Sequence, residues 1–187
     1  MPLGEHLYSY IRSNLQNHFG NYLEIGVFNG DGFASVASTF PDKKCFAIDP
    51  FIEDGYTSHT TSTARGGHLG SQKANFLNAT KKLPNVNYFE MTSVDFFNSL
   101  SEQQIIDMDI SCIVIDGSHH YTDVVNDQNL SMKLLRNNKT GIILFDDLHV
   151  EDVKKAYDEF HKEYKKYIVN FGGIGGNAEF VLINYEQ

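Results

Sequence analysis

Two stretches of the chain, ISCIVID at 110–116 and GIILFD at 141–146, are apolar almost throughout and end in an acid. A strand with one wet face alternates in polarity. Runs like these need both faces covered, as in a parallel sheet with helices on either side. YLEIGVF (22–28), KCFAID (44–49) and VNYFEM (86–91) read as three further strands, with helical stretches after them at 31–39, 72–83 and around 94–106. Residues 121–135 form another helix, with Val124, Val125, Gln128 and Leu135 inward. In EDVKKAYDEFHKEYKK (151–166) the stripe is Val153, Ala156, Tyr157, Phe160 and Tyr164, and Glu151/Lys155 and Asp158/Lys162 are i,i+4 pairs on a solvated face. Ahead of the first strand, residues 3–19 put Leu3, Leu7, Tyr10, Ile11, Leu15 and Phe19 on one helical face. At the other end YIVNF (167–171) and EFVLINY (179–185) flank Gly172-Gly173-Ile174-Gly175-Gly176-Asn177. That is an antiparallel hairpin whose glycines turn the chain; no helix N-terminus follows to make a phosphate cradle.

The 187 residues suit one domain, and 41% hydrophobic content excludes a disordered chain. Lys plus Arg number 15 against 24 Asp plus Glu, and a net charge of −9 argues against nucleic acid and anionic lipid as partners. No run is long enough for a membrane span, and MPLGEHLYSYIRSN lacks a signal-peptide layout, so a cytoplasmic location is the default expectation. Residues 53–71, EDGYTSHTTSTARGGHLGS, are the low-hydrophobicity stretch, expected to be a mobile loop that closes over a substrate.

Glu24-Ile25-Gly26-Val27-Phe28-Asn29-Gly30 stands where the first strand turns into the first helix. Glycines there allow close approach of a ligand, and N–H groups at a helix start attract its anionic oxygens. Asp49 ends the second strand, 19 residues after Gly30, where an acid can accept hydrogen bonds from ribose hydroxyls. Together they point to a nucleoside ligand. The spacing of Gly26, Gly30 and Gly32 is not the dinucleotide G-x-G-x-x-G, which speaks against a nicotinamide-dependent oxidoreductase. That reading and a non-catalytic nucleoside-binding module are the alternatives.

The pattern E-x-G-x-x-x-G, with the terminal hairpin, resembles class I S-adenosylmethionine-dependent methyltransferases over roughly residues 20–185. The resemblance implies a doubly wound, mostly parallel α/β sheet of order 3-2-1-4-5-7-6 with strand 7 antiparallel. It also implies cofactor roles: Glu24, Gly26 and Gly30 along the amino-acid end, Asp49 on the ribose, Pro50 and Phe51 against the adenine, and Ser93 at the adenine edge. For Ser93 a helix N-cap is an equal reading. In that order Cys45 and Cys112 lie two strands apart, about 9–10 Å, too far for a disulfide. Neither has the spacing of a zinc ligand.

The same order makes the fourth and fifth strands neighbours, so Asp116, Asp146 and Asp147 crowd together at their carboxyl ends. Two carboxylates about 5 Å apart repel by roughly 3 kcal/mol at an effective dielectric of 20. A proton, a cation or a metal must offset this, and all-oxygen ligands favour Mg²⁺ or another hard divalent cation. The plainer reading is that Asp147 caps the next helix and Asp116-Gly117 is a turn. DGSHHYTD followed by IILFDDLH is similar to the macrocin- and mycinamicin-type sugar O-methyltransferases and to metal-dependent catechol-type enzymes. The similarity implies a divalent cation on Asp116, Asp146 and Asp147, although the catechol type has Asp-Asn where this chain has Asp-Asp. It also implies a histidine base, with His149 taken first and His119 as its rival. The expected acceptor is a small diol-bearing molecule, a sugar or a natural-product intermediate; whether the chain forms a homo-oligomer stays open.

Overall fold

A computed structural model of the protein describes residues 5–17, 20–52 and 71–186. Leu3, His18, Phe19 and the loop 53–71 up to residue 70, with His59 and His68, lie outside the described residues. In chain order the elements are α1 (Glu5–Asn14), β1 (Asn21–Ile25), α2 (Asp31–Thr39), β2 (Cys45–Ile48), α3 (Gln72–Thr80), β3 (Val86–Phe89), α4 (Ser93–Ser99), α5 (Glu102–Met108) and β4 (Ile110–Ile115). They continue with α6 (Tyr121–Leu135), β5 (Thr140–Phe145), α7 (Glu151–Glu163), β6 (Ile168–Gly175) and β7 (Ala178–Asn184). The strands form one sheet of order β3-β2-β1-β4-β5-β7-β6. β7 runs antiparallel to both β5 and β6, and the other pairings are parallel. This is the expected topology.

Both faces of the central strands are covered, as their apolar runs require. Leu23, Ile25, Ile113, Ile115, Ile143 and Phe145 point to one face and pack beneath α4, α5, α6 and α7. Tyr22, Cys112, Val114, Ile142 and Leu144 point to the other and pack beneath α1, α2 and α3. Cys45 and Cys112 both pair in register with Tyr22, from opposite sides of β1, and both thiols are free. Among the described residues no helix is long and apolar enough to cross a membrane.

Three details depart from the sequence expectation. The helical segment near 94–106 is two helices, because Ser101 and Gln104 form a reciprocal capping box that starts α5. On α7 the i,i+4 ion pair is Lys154–Asp158, and Lys155 lies 4.2 Å over the ring of Tyr121. β6 extends through the glycines as far as Gly175, leaving Gly176-Asn177 as the turn. Gly176 has φ 63°, a conformation suited to glycine in a two-residue hairpin.

Candidate active site

The backbone ladder continues one residue past each central strand and aligns the site. Gly26 N–H donates to the Ile48 carbonyl at 2.9 Å, Asp116 N–H to Ile25 at 2.9 Å and Asp146 N–H to Ile115 at 3.1 Å. Asp116 and Asp146 therefore stand side by side at the tips of β4 and β5, one strand spacing (about 4.8 Å) apart. The carboxyl edge of an open parallel sheet is where ligands bind.

Internal packing explains the glycine loop more than ligand approach does. A Cβ at Gly26, φ 86°, would fall 2.1 Å from the Asp116 carbonyl oxygen, and one at Gly30 2.6 Å from the Phe76 ring. The N–H groups of Val27 and Phe28 donate to Asp49 Oδ2 at 2.9 and 3.0 Å, and Phe51 N–H donates to Oδ1 at 2.7 Å. Two amides of the loop ahead of α2 are thus taken by the acid expected to hold the ribose. A carboxylate offers about four lone-pair sites. Three are used, so Asp49 staples the loop and keeps one acceptor direction.

Beneath the loop Glu24 has a partner that sequence reasoning missed, Tyr8. Glu24 is fully buried, and its carboxylate accepts hydrogen bonds from Tyr8 at 2.9 Å and from Tyr22. Burial raises the Glu24 carboxyl to about 7, against the lowering effect of the two tyrosines. The Tyr8 phenol is pushed well above its usual range, first by burial, then by the charges of Glu24, Asp116 and Asp146. Tyr8 comes from α1, whose close approach depends on Gly32: a Cβ there would meet the Tyr8 ring at 2.0 Å. Glu24 therefore meets the site by way of a tyrosine from the preceding helix. Tyr8 adjoins Leu7 and lies three residues before Ile11 on the buried side of α1, which was the available signal; its partner is 16 residues away.

Asp147 does not cap a helix. α7 starts at Glu151 with Val150 at its N-cap and no side-chain cap bond. Instead Asp147 adopts φ 55°, an uncommon conformation for a non-glycine residue, with its N–H on Asp146 Oδ1 at 2.7 Å. This turn aims the Asp147 carboxylate at both candidate bases. His119 Nε2 lies 2.8 Å from Oδ2, while His149 Nδ1 lies 3.5 Å from Oδ1, beyond ordinary hydrogen-bond length. The hydrogen bond to Asp147 raises the His119 pKa, against the effect of burial. Asp146 is raised by burial first, opposed by the Asp147 N–H and reinforced by the Asp147 charge.

The three-acid metal set of Asp116, Asp146 and Asp147 needs correction. Among the described residues no group of three or more His, Cys, Asp or Glu is arranged to hold a metal ion. The physical reason is that Asp147 turns to His119. Asp116 and Asp146 are the two that fit, since a hard cation such as Mg²⁺ is commonly held by one or two carboxylates and keeps several waters.

On the nucleoside side, Phe51 has φ 48° and is buried against Phe76, ring centroids 5.3 Å apart, rather than open to a base. Pro50 is exposed, and Ile52 and Phe28 supply exposed apolar surface on the same loops. Ser93 is not an N-cap; Thr92 caps α4, accepting from Asp95 N–H at 3.1 Å. Asp127 of α6, a residue no motif flagged, is buried, and burial pushes its carboxyl up to about 7 against a lowering effect from Ser93.

Known proteins agree with this architecture. The chain is similar to TomG, an O-methyltransferase from Streptomyces achromogenes whose structure holds S-adenosylmethionine, with TM-score 0.64 and 13% identity over 98% of this chain and 79% of that one. It is similar to CalS11, a TDP-rhamnose 3′-O-methyltransferase, with TM-score 0.63 and 13% identity over 99% of this chain and 80% of that one. It is also 30% identical over 152 residues to the uncharacterized protein R132 of Acanthamoeba polyphaga mimivirus, covering 76% of this chain and 59% of that relative's length. A family model described as a methyltransferase domain matches residues 23–148, from β1 through the Asp146-Asp147 turn. The chain belongs to that methyltransferase family.

Proposed function

We propose that this chain transfers a methyl group from S-adenosylmethionine to a hydroxyl of a small diol-bearing acceptor, a sugar or a natural-product intermediate, assisted by Mg²⁺. The observation that carries the reading is the 2.8 Å contact between His119 Nε2 and Asp147 Oδ2, beside the adjacent Asp116 and Asp146. The fold shared with TomG and CalS11, whose names give an O-methyltransferase and a sugar-nucleotide O-methyltransferase, supports the acceptor class.

Asp147 accepts the Nε2 hydrogen of His119 and so leaves the lone pair on Nδ1, which makes His119 the base and puts His149 second. The acceptor hydroxyl loses its proton to Nδ1 as its oxygen attacks the methyl carbon. The carbon–sulfur bond breaks, and S-adenosylhomocysteine leaves. Asp116 and Asp146 would hold the cation, which when bound lowers the pKa of a coordinated hydroxyl. Asp49 uses its remaining acceptor direction for the ribose. In-line placement of oxygen, methyl and sulfur supplies much of the acceleration.

The test is methyl transfer from labelled S-adenosylmethionine across a panel of sugars and catechols. His119→Ala should lower turnover by about 10²- to 10⁴-fold while cofactor affinity stays the same. Unchanged turnover in His119→Ala would remove the histidine from the mechanism.

A further inference from the structure

The segment that carries His119 is fastened from within. The Ser118 hydroxyl donates to Asp123 Oδ2 at 2.6 Å and accepts from the His120 N–H at 3.2 Å. Asp123 lies in the first turn of α6, with its own N–H on the His120 carbonyl at 3.0 Å. A carboxylate only accepts hydrogen bonds, so the serine O–H is committed to Asp123 and its lone pairs are left for the amide. That amide belongs to the planar peptide group joining His119 to His120. The bond from Ser118 thus spans His119 and restricts rotation of the backbone on its far side. The start of α6 is in turn fixed to the opposite wall of the site. Val124 packs on Val153 and Ala156 of α7, with Leu148 from the Asp147 turn against them, and the Tyr121 N–H donates to Asp152 Oδ2 at 3.3 Å.

We infer that Ser118 and Asp123 are positioning residues for the reaction: Asp123 holds Ser118, and Ser118 holds the backbone that presents His119 Nε2 to Asp147 Oδ2. The inference rests on the histidine-base reading above. Loss of the hydroxyl frees the peptide group after His119, and the ring leaves its 2.8 Å contact. Asp147 then no longer selects the tautomer with hydrogen on Nε2. The basic nitrogen is presented in only a fraction of molecules, so turnover falls while cofactor binding is spared. An acid that only favoured the start of α6 through the helix dipole would change stability and leave the tautomer as it was.

The experiment is nitrogen-resolved NMR of the imidazoles at pH 9 in the whole chain, with methyl transfer measured alongside. The ratio of Nε2–H to Nδ1–H forms of His119 should fall about tenfold in Ser118→Ala and in Asp123→Ala, the worth of one hydrogen bond to a charged group. Ser118→Thr keeps the hydroxyl and should restore the ratio to within about twofold of the wild type. The kcat should follow the ratio, with KM for S-adenosylmethionine unchanged. A ratio unmoved in Ser118→Ala, or lost equally in Ser118→Thr, overturns the inference. Should Asp123→Ala fail to fold, the two Ser118 variants decide the matter. Absence of methyl transfer by the wild-type chain would overturn the proposed function, while the tautomer ratio still decides this inference.

Discussion

The His119–Asp147 contact couples the proposed base to an acid that sits one residue beyond Asp146. Because the Asp147 hydrogen bond is the largest cause of the raised His119 pKa, replacing the acid should lower it. Nitrogen-resolved NMR titration should find the His119 midpoint displaced downward in Asp147→Asn. An unmoved midpoint would mean that the pair does not persist in solution. The left-handed turn at Asp147 is what makes the contact, and it is a property of the backbone after β5 that residue type alone does not announce. That is why the sequence put Asp147 in a metal set while the structure turns it toward a histidine.

At the scale of elements, α1 is held on α2 by the Tyr8 ring over Gly32 and by Arg12, which donates to Ser35 at 2.8 Å and pairs with Glu5 at 2.9 Å. Gly32→Ala should force the ring aside, cost about 1–3 kcal/mol and speed amide exchange across α1. Exchange and stability like those of the wild type would show that this packing is loose. The elements themselves were largely legible: the apolar runs of β4 and β5 require two covered faces, and 31–39 and 121–135 are the observed helices α2 and α6. The α4–α5 break was legible too, in the Ser101-x-x-Gln104 spacing, but it was read through as one segment. Less accessible were the features that depend on contacts distant in sequence. Tyr8 meets Glu24 across 16 positions, and Phe51 turns inward onto Phe76 while its neighbour Pro50 stays outside. Periodicity shows which face of an element is buried, and it is silent on which polar group waits there.

Across the whole molecule, the two strongly buried acids Glu24 and Asp127 each titrate at about 7 in the fold, well above an exposed carboxyl at about 4. Between those values the native state binds more protons than the unfolded chain. Stability therefore falls as pH rises through that window, and the loss is complete above it. Urea unfolding at pH 5 and pH 8 should show this decline, and Glu24→Gln with Asp127→Asn should flatten it. An equal slope in the double variant would mean that these acids are not the source. The same molecule presents an adjacent acid pair, Asp116 and Asp146, at the edge where the cofactor and acceptor would meet. Thermal unfolding with S-adenosylhomocysteine, with and without Mg²⁺, tests that arrangement most directly. The account predicts stabilisation by the nucleoside, a further rise with Mg²⁺, and loss of the Mg²⁺ increment alone in Asp146→Ala. No stabilisation by the nucleoside, or an Mg²⁺ increment that survives in Asp146→Ala, would contradict it.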